Sequence, residues 1–217
     1  MGKKRTVFLA VLLLLMGIGI MAYPTVSNYV NQQNGSYAIQ QLLEQDAGDE
    51  AMLAQLSLAR EYNRQLAAGT PEGYDHILDF GGGLMGYIEI PKISLRLPIY
   101  HGVSDEVLNR GVGHLPDTAF PIGGSGNHAV LTGHTGLPSA RLFTDLAELA
   151  SGDLFHITIA GQTVTYTVDQ ILVVLPQETE ALNRIPDLDC CTLVTCTPYG
   201  INSHRLLVRG IRTEDFP

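Results

Sequence analysis

Short apolar runs broken by turns constrain this chain more than any other feature. They fall at Tyr87–Ile90, Leu95–Tyr100, His128–His134, Leu154–Ile159, Thr163–Leu175, Thr192–Cys196 and Arg205–Ile211. Runs of that length, rich in Val, Ile, Thr and Tyr and bounded by Gly, Pro, Asn or Ser, read as strands. Ala160-Gly161 joins two of them as a hairpin. Ser139 to Leu149 is helix-like and interrupts the series. Many short strands with few helices argue for a mainly β domain, either barrel or sandwich. The strand count alone does not choose between the two. No internal repeat is visible.

The run Thr192-Leu193-Val194-Thr195-Cys196 ends on a thiol. A turn follows at Thr197-Pro198-Tyr199-Gly200, and the next strand opens with Arg205, nine residues after the cysteine. A turn of that length lets the thiol and the guanidinium share one patch of sheet. A neighbouring cation favours the thiolate, the nucleophilic form. Upstream, Ala129-Val130-Leu131-Thr132-Gly133-His134-Thr135-Gly136 is a short β-rich run ending on a glycine-framed histidine. Cys196, His134 and Arg205 would supply a nucleophile, a proton donor and a charge stabiliser, the roles acyl transfer needs. His134 has six rivals in His76, His101, His114, His128, His156 and His204. His204 adjoins Arg205, so strand alternation sends the two to opposite faces.

These motifs resemble those of the sortases. Gly86-Tyr87-Ile88-Glu89-Ile90-Pro91-Lys92-Ile93, Pro98-Ile99-Tyr100-His101-Gly102 and Thr197-Pro198-Tyr199-Gly200-Ile201-Asn202-Ser203-His204-Arg205 narrow the likeness to class C, the pilin-polymerising group of Gram-positive bacteria. The resemblance covers about residues 84–211. It implies a closed eight-stranded β-barrel. It also implies that Cys196 attacks the Thr–Gly amide of a Leu-Pro-x-Thr-Gly-type sorting signal and forms a thioacyl enzyme. His134 would protonate the departing amine, and Arg205 would face the oxyanion. A pilin lysine amine then takes the acyl group. Thr132 and Thr195 are candidate substrate contacts. The thioester carries the bond energy, so no cofactor is called for. The implied partners are pilins or surface proteins with sorting signals, a lipid-linked cell-wall precursor, and the membrane.

The likeness leaves alternatives. A sortase that anchors single proteins to the wall would use the same residues, and an exported cysteine protease would use water in place of the amine. Class C enzymes often carry a lid anchored by an Asp-Pro-aromatic motif. The connector 70–84 has no such motif, so Tyr74 and Phe80 are the lid-equivalent candidates. Many members also have a C-terminal membrane helix, and this sequence shows no second apolar run before Pro217. Leu115-Pro116-Asp117-Thr118-Ala119 mimics a sorting signal but lacks the glycine and the apolar tail, so it reads as a loop.

The N-terminus sets the compartment. Met1-Gly2-Lys3-Lys4-Arg5 is basic, and Val7 to Ala22 is apolar apart from glycines. A cleaved signal peptide would want small residues at −1 and −3, and Ile20 is a poor −3 for cleavage after Ala22. Residues 1–23 therefore read as an uncleaved signal anchor, with the catalytic part outside. Without those three basic residues the chain has ten cations against 22 acids, a net charge of −12. That balance argues against nucleic acid.

Residues 24–69 read as a polar extended spacer to Ser36, then two helices interrupted near 46–50. Met52, Leu56, Ala59, Tyr62 or Asn63, and Leu66 recur at helical period in the second. Residues 85–217 form the catalytic domain. The three cysteines, Cys190, Cys191 and Cys196, leave at least one thiol free. Adjacent Cys190 and Cys191 are poorly placed to bridge each other, and their spacing with His204 fits no common zinc pattern.

Overall fold

The computed structural model describes residues 2–44, 49–66, 68–69 and 71–213. Eight strands follow in chain order: β1 Leu84–Ile90, β2 Leu95–His101, β3 Val112–His114, β4 His128–Thr132, β5 Leu154–Ile159, β6 Gln162–Val174, β7 Cys190–Thr197 and β8 His204–Arg212. They close into a barrel in the order β1-β2-β3-β4-β7-β8-β6-β5. Strand β5 pairs back onto β1. Closure decides for the barrel and leaves no sheet edge to protect. The β2/β3 and β4/β7 pairs are parallel, and the other six are antiparallel.

The inward side chains form one apolar core. Ile88, Ile99, Leu131, Phe155, Leu193 and Val208 are all in it and fully buried. Burying a side chain of this kind contributes about 1.5–3 kcal/mol. The Ala160-Gly161 hairpin is present, with φ of 48° and 74°, as a tight left-handed turn requires.

The strand directions give the barrel two distinct ends. At the upper end β4, β6 and β7 finish and β8 begins. At the lower end β4 and β6 begin, while β2, β3 and β8 finish.

The first helix, α1 (Gly2–Glu44), runs unbroken through Pro24. Residues 24–36 are therefore helical rather than an extended spacer. Pro24 removes one helical hydrogen bond, and docking of the following turns on the barrel offsets that loss. Asn28 Oδ1 accepts from the Arg141 N–H at 2.9 Å, and Asn31 Nδ2 donates to Asn109 O at 2.9 Å. Gly35 lies against Pro98, and Ile39 is buried. The helix thus descends from the upper end to the lower. It is apolar enough to cross a membrane by length and composition.

Helix α2 (Asp49–Leu66) buries Leu56, Ala59, Tyr62 and Asn63, the face the periodicity marks. The expected break at 46–50 falls mostly outside the described residues. Asn63 ties α2 to the barrel: Nδ2 donates to Phe120 O at 3.0 Å, and the Phe120 N–H donates to Oδ1 at 2.8 Å.

Three local readings change. Strand β3 is an addition to the sequence pattern, because Val-Gly-His has no strand signal of its own and its pairing comes from β2 and β4. Helix α3 (Asp105–Arg110), capped by Ser104, is a second addition. Ser139–Leu149 is mainly turns, with a single 3-10 turn at Leu146–Glu148. Tertiary bonds set that segment: the Phe143 N–H donates to His134 O at 3.0 Å, and the Gly136 N–H donates to Thr144 Oγ1 at 3.2 Å.

Candidate active site

Cys196 sits near the end of β7, between β4 and β8. In the β7/β8 ladder it lies directly opposite Arg205. Opposed residues of an antiparallel pair point to the same face, with Cα atoms about 4.5–5.5 Å apart. His204 pairs with Thr197 and takes the other face, as alternation predicts.

Strand β4 reaches Cys196 from the other side. It runs parallel to β7 with His128 beside Cys190 and Thr132 beside Val194. The ladder continues past the strand, because the Gly133 N–H donates to Val194 O at 3.0 Å. Carried two residues further, the register brings His134 level with Cys196. Neighbouring strands lie about 4.8 Å apart, so His134, just past the end of β4, lines up in a row with Cys196 on β7 and Arg205 on β8. Ala129, Leu131, Cys191 and Leu193 belong to the core. The alternate residues Cys196 and His134 therefore face outward, and both are partly exposed.

Local packing holds each member. A β-carbon at Gly133 would lie 2.8 Å from the Phe143 ring. Glycine there lets the loop fold back beneath His134. Arg205 Nη1 donates to His204 O at 3.1 Å and Asn202 O at 3.3 Å. Its Nη2 and Nε make no hydrogen bond to the other described residues, so they can meet an anionic oxygen.

The other two thiols are different. Burial pushes Cys190 up to about 11, and it raises fully enclosed Cys191 well above the ordinary thiol range. Both stay protonated and inaccessible at neutral pH. Three of the rival histidines are likewise committed. His128 Nδ1 donates to Asn183 O, and its Nε2 accepts from Thr192 Oγ1. His114 is fully buried, and His156 bonds Thr165.

Two sequence assignments are corrected. Thr195 is buried, and its hydroxyl donates to Gly133 O at 2.7 Å. It braces β4 against β7 and does not face a substrate. Tyr74 and Phe80 are not a lid. Tyr74 packs at the lower end, where its hydroxyl meets His114 Nδ1 at 2.8 Å and accepts from the Gly102 N–H at 3.2 Å. Its ring stacks on Phe120 at 5.5 Å. The Phe80 N–H donates to Leu84 O at the start of β1, and the ring packs against the core. Cys196 lies at the opposite end. Thr132 is half-buried one pleat before His134, with its hydroxyl donating to Val194 O at 3.3 Å.

A family model described as the sortase domain matches residues 88–213, more than half of the chain. The chain belongs to the sortase family. Sortases are cysteine transpeptidases, which fits a cysteine, a histidine and an arginine in one row. A Clostridium perfringens sortase C, solved with the C-terminal cell wall sorting motif, is 43% identical, covering 82% of this chain and 99% of that one with a TM-score of 0.77. The class C likeness therefore extends to three dimensions. Among curated relatives, Bacillus subtilis sortase D is 27% identical over 79% of this sortase and 87% of its own length. Streptococcus agalactiae sortase A is 32% identical over 52% of this sortase, which spans about half (47%) of that relative.

Proposed function

We propose that this sortase cleaves a Leu-Pro-x-Thr-Gly-type sorting signal between Thr and Gly and joins the threonine carboxyl to a lysine amine of a pilin. The observation that carries the reading is the row His134–Cys196–Arg205, set by the β4/β7 and β7/β8 registers. The Cys196 sulfur attacks the threonyl carbonyl. The guanidinium of Arg205 meets the oxygen as it gains charge. His134 gives a proton to the departing glycine amine, leaving a thioester. It takes a proton from the incoming lysine amine as that amine displaces the sulfur. Thr132, on the same face, is the nearest candidate for a substrate contact.

The anchor supports a surface-bound enzyme. Asn28, which holds Arg141 in the loop after His134, lies six positions along α1 from Ala22, the end of the apolar run. At 1.5 Å per residue that is about 9 Å. The catalytic end therefore faces the membrane, with the barrel outside by the basic residues at the N-terminus. A sorting signal held at the bilayer surface is within reach.

The same three residues would also serve a second reading, in which single surface proteins are attached to a lipid-linked wall precursor. One assay separates them. The full chain is mixed with a sorting-signal peptide and either a lysine-bearing pilin domain or a wall-precursor amine. A peptide–pilin isopeptide product supports polymerisation. Product with the wall amine alone supports anchoring, and hydrolysis alone contradicts both.

A further inference from the structure

A second charged site lies at the lower end of the barrel. Ten lysines and arginines follow the N-terminal cluster in a chain of net charge −9. Four of them, Arg60, Arg64, Arg184 and Arg212, line one open cleft of about 550 Å³. No Asp or Glu lines it. Along β8, Arg212 is seven residues from Arg205, about 23 Å at strand rise. The cleft is therefore separate from the catalytic row, and it faces away from the end where α1 leaves for the membrane.

The cleft is built from fixed parts. The Asn63–Phe120 hydrogen bonds hold α2 on the barrel and present Arg60 and Arg64 on either side of Asn63. Arg184 donates through Nε to Gly126 O at 2.8 Å, leaving its two terminal nitrogens for a ligand. The Arg212 guanidinium lies against Gly123, with Nη1 3.5 Å from Asp189 Oδ2. Asp189 also accepts from the Gly124 N–H, and its other oxygen is buried without a partner among the described residues. The loop between has φ of 80°, 129° and 73° at Gly123, Gly124 and Gly126. The backbone N–H groups of Ser125 and Gly126 make no hydrogen bond to other described residues. Glu61 pairs with Arg64, and Asp189 lies beside Arg212. Two of the four cations remain unbalanced.

We propose that this cleft binds a phosphate-bearing anion. Guanidinium forks match phosphate oxygens in pairs, and free loop N–H groups add donors of the kind that cradle phosphates. The volume admits more than one phosphate group, which suits a phosphodiester chain. The position, a barrel length from the anchored end, favours a soluble or wall-borne phosphate over a headgroup of the anchoring membrane.

The test uses the full chain in detergent micelles with inorganic pyrophosphate as the probe, read by titration calorimetry against sodium chloride at matched ionic strength. Pyrophosphate should bind saturably. The Arg60→Gln/Arg184→Gln pair should weaken it ten-fold or more, while Arg96→Gln/Arg110→Gln, which removes the same charge elsewhere, should not. Peptide cleavage by both doubles should match the wild type, which shows that they are folded. Should the first double misfold, Arg60→Gln alone, at an exposed helical position, should still weaken binding several-fold. Equal weakening by both doubles, or no binding beyond the chloride control, would overturn the site. A water-soluble poly(glycerol phosphate) and monomeric dihexanoyl phosphatidylglycerol separate the sources. The polymer should displace pyrophosphate at the lower phosphate concentration, and preference for the acylated compound would overturn the assignment to a soluble phosphate.

Discussion

Acid should unfold this sortase through a histidine outside the active site. His114 is fully buried at the end of β3. Its Nε2 lies 2.9 Å from Ala119 O, a pure acceptor, so Nε2 carries the proton and Nδ1 accepts from the Tyr74 hydroxyl. Burial, the largest cause, lowers its pKa to about 4, and the neighbouring His101 pushes the same way. In the unfolded chain His114 titrates near 6.5. Between pH 6.5 and 4 the unfolded state therefore binds a proton that the folded state refuses, and stability falls as pH falls. Over about 2.5 pH units, at roughly 1.36 kcal/mol each, the loss is about 3 kcal/mol. His101 and His128 are also lowered by burial and add loss of the same sign. Denaturant unfolding at pH 7 and pH 4 would measure this in the wild type and in His114→Gln, which keeps a donor for Ala119 O. The wild type should lose about 3 kcal/mol more than the variant. Parallel losses would refute the argument that His114 is held neutral by burial.

Three further outcomes follow from the geometry. Arg205→Lys should be nearly as damaging to transpeptidation as Arg205→Ala, because an ammonium lacks the planar fork; recovery of most turnover by Lys would reduce the residue to a simple charge. Cys190→Ala and Cys191→Ala should keep turnover on a sorting-signal peptide, while Cys196→Ala abolishes it. Tyr74→Phe should cost about 1–3 kcal/mol by stranding buried partners, yet leave the rate at which a thiol reagent labels Cys196 unchanged, since Tyr74 lies at the other end of the barrel; a ten-fold faster rate would restore the lid.

The parts legible in the sequence are those with local causes. The hairpin from Cys196 to Arg205 is one: a nine-residue separation with a turn between makes the two residues partners. Leu154–Ile159 is another, where apolar and polar residues alternate between turns and the strand is observed with the same limits. The face of α2 followed from Leu56, Ala59 and Tyr62. What stayed hidden depends on distant partners. Nothing near His134 says that β4 will lie parallel to β7 in the register that sets it beside Cys196; the family motif supplied that. Thr195 was a candidate substrate contact, but strand alternation turns it inward. The polar stretch 24–36 suggested an extended spacer, yet docking through Asn28, Asn31 and Ile39 carries α1 through it. Arg60 and Arg64 are visible as an i, i+4 pair. Their convergence with Arg184 and Arg212 exists only once the barrel closes.

The central claim is that Cys196 is the acyl carrier. Incubating the full chain with a sorting-signal peptide and no amine acceptor, quenching in acid, and mapping the modified peptide by mass spectrometry measures this directly. The account predicts one adduct, the peptide acyl group ending in threonine, on Cys196, absent in His134→Ala quenched at early times and discharged when a lysine-bearing pilin domain is added. An adduct on Cys190 or Cys191, or peptide turnover by Cys196→Ala, would contradict it.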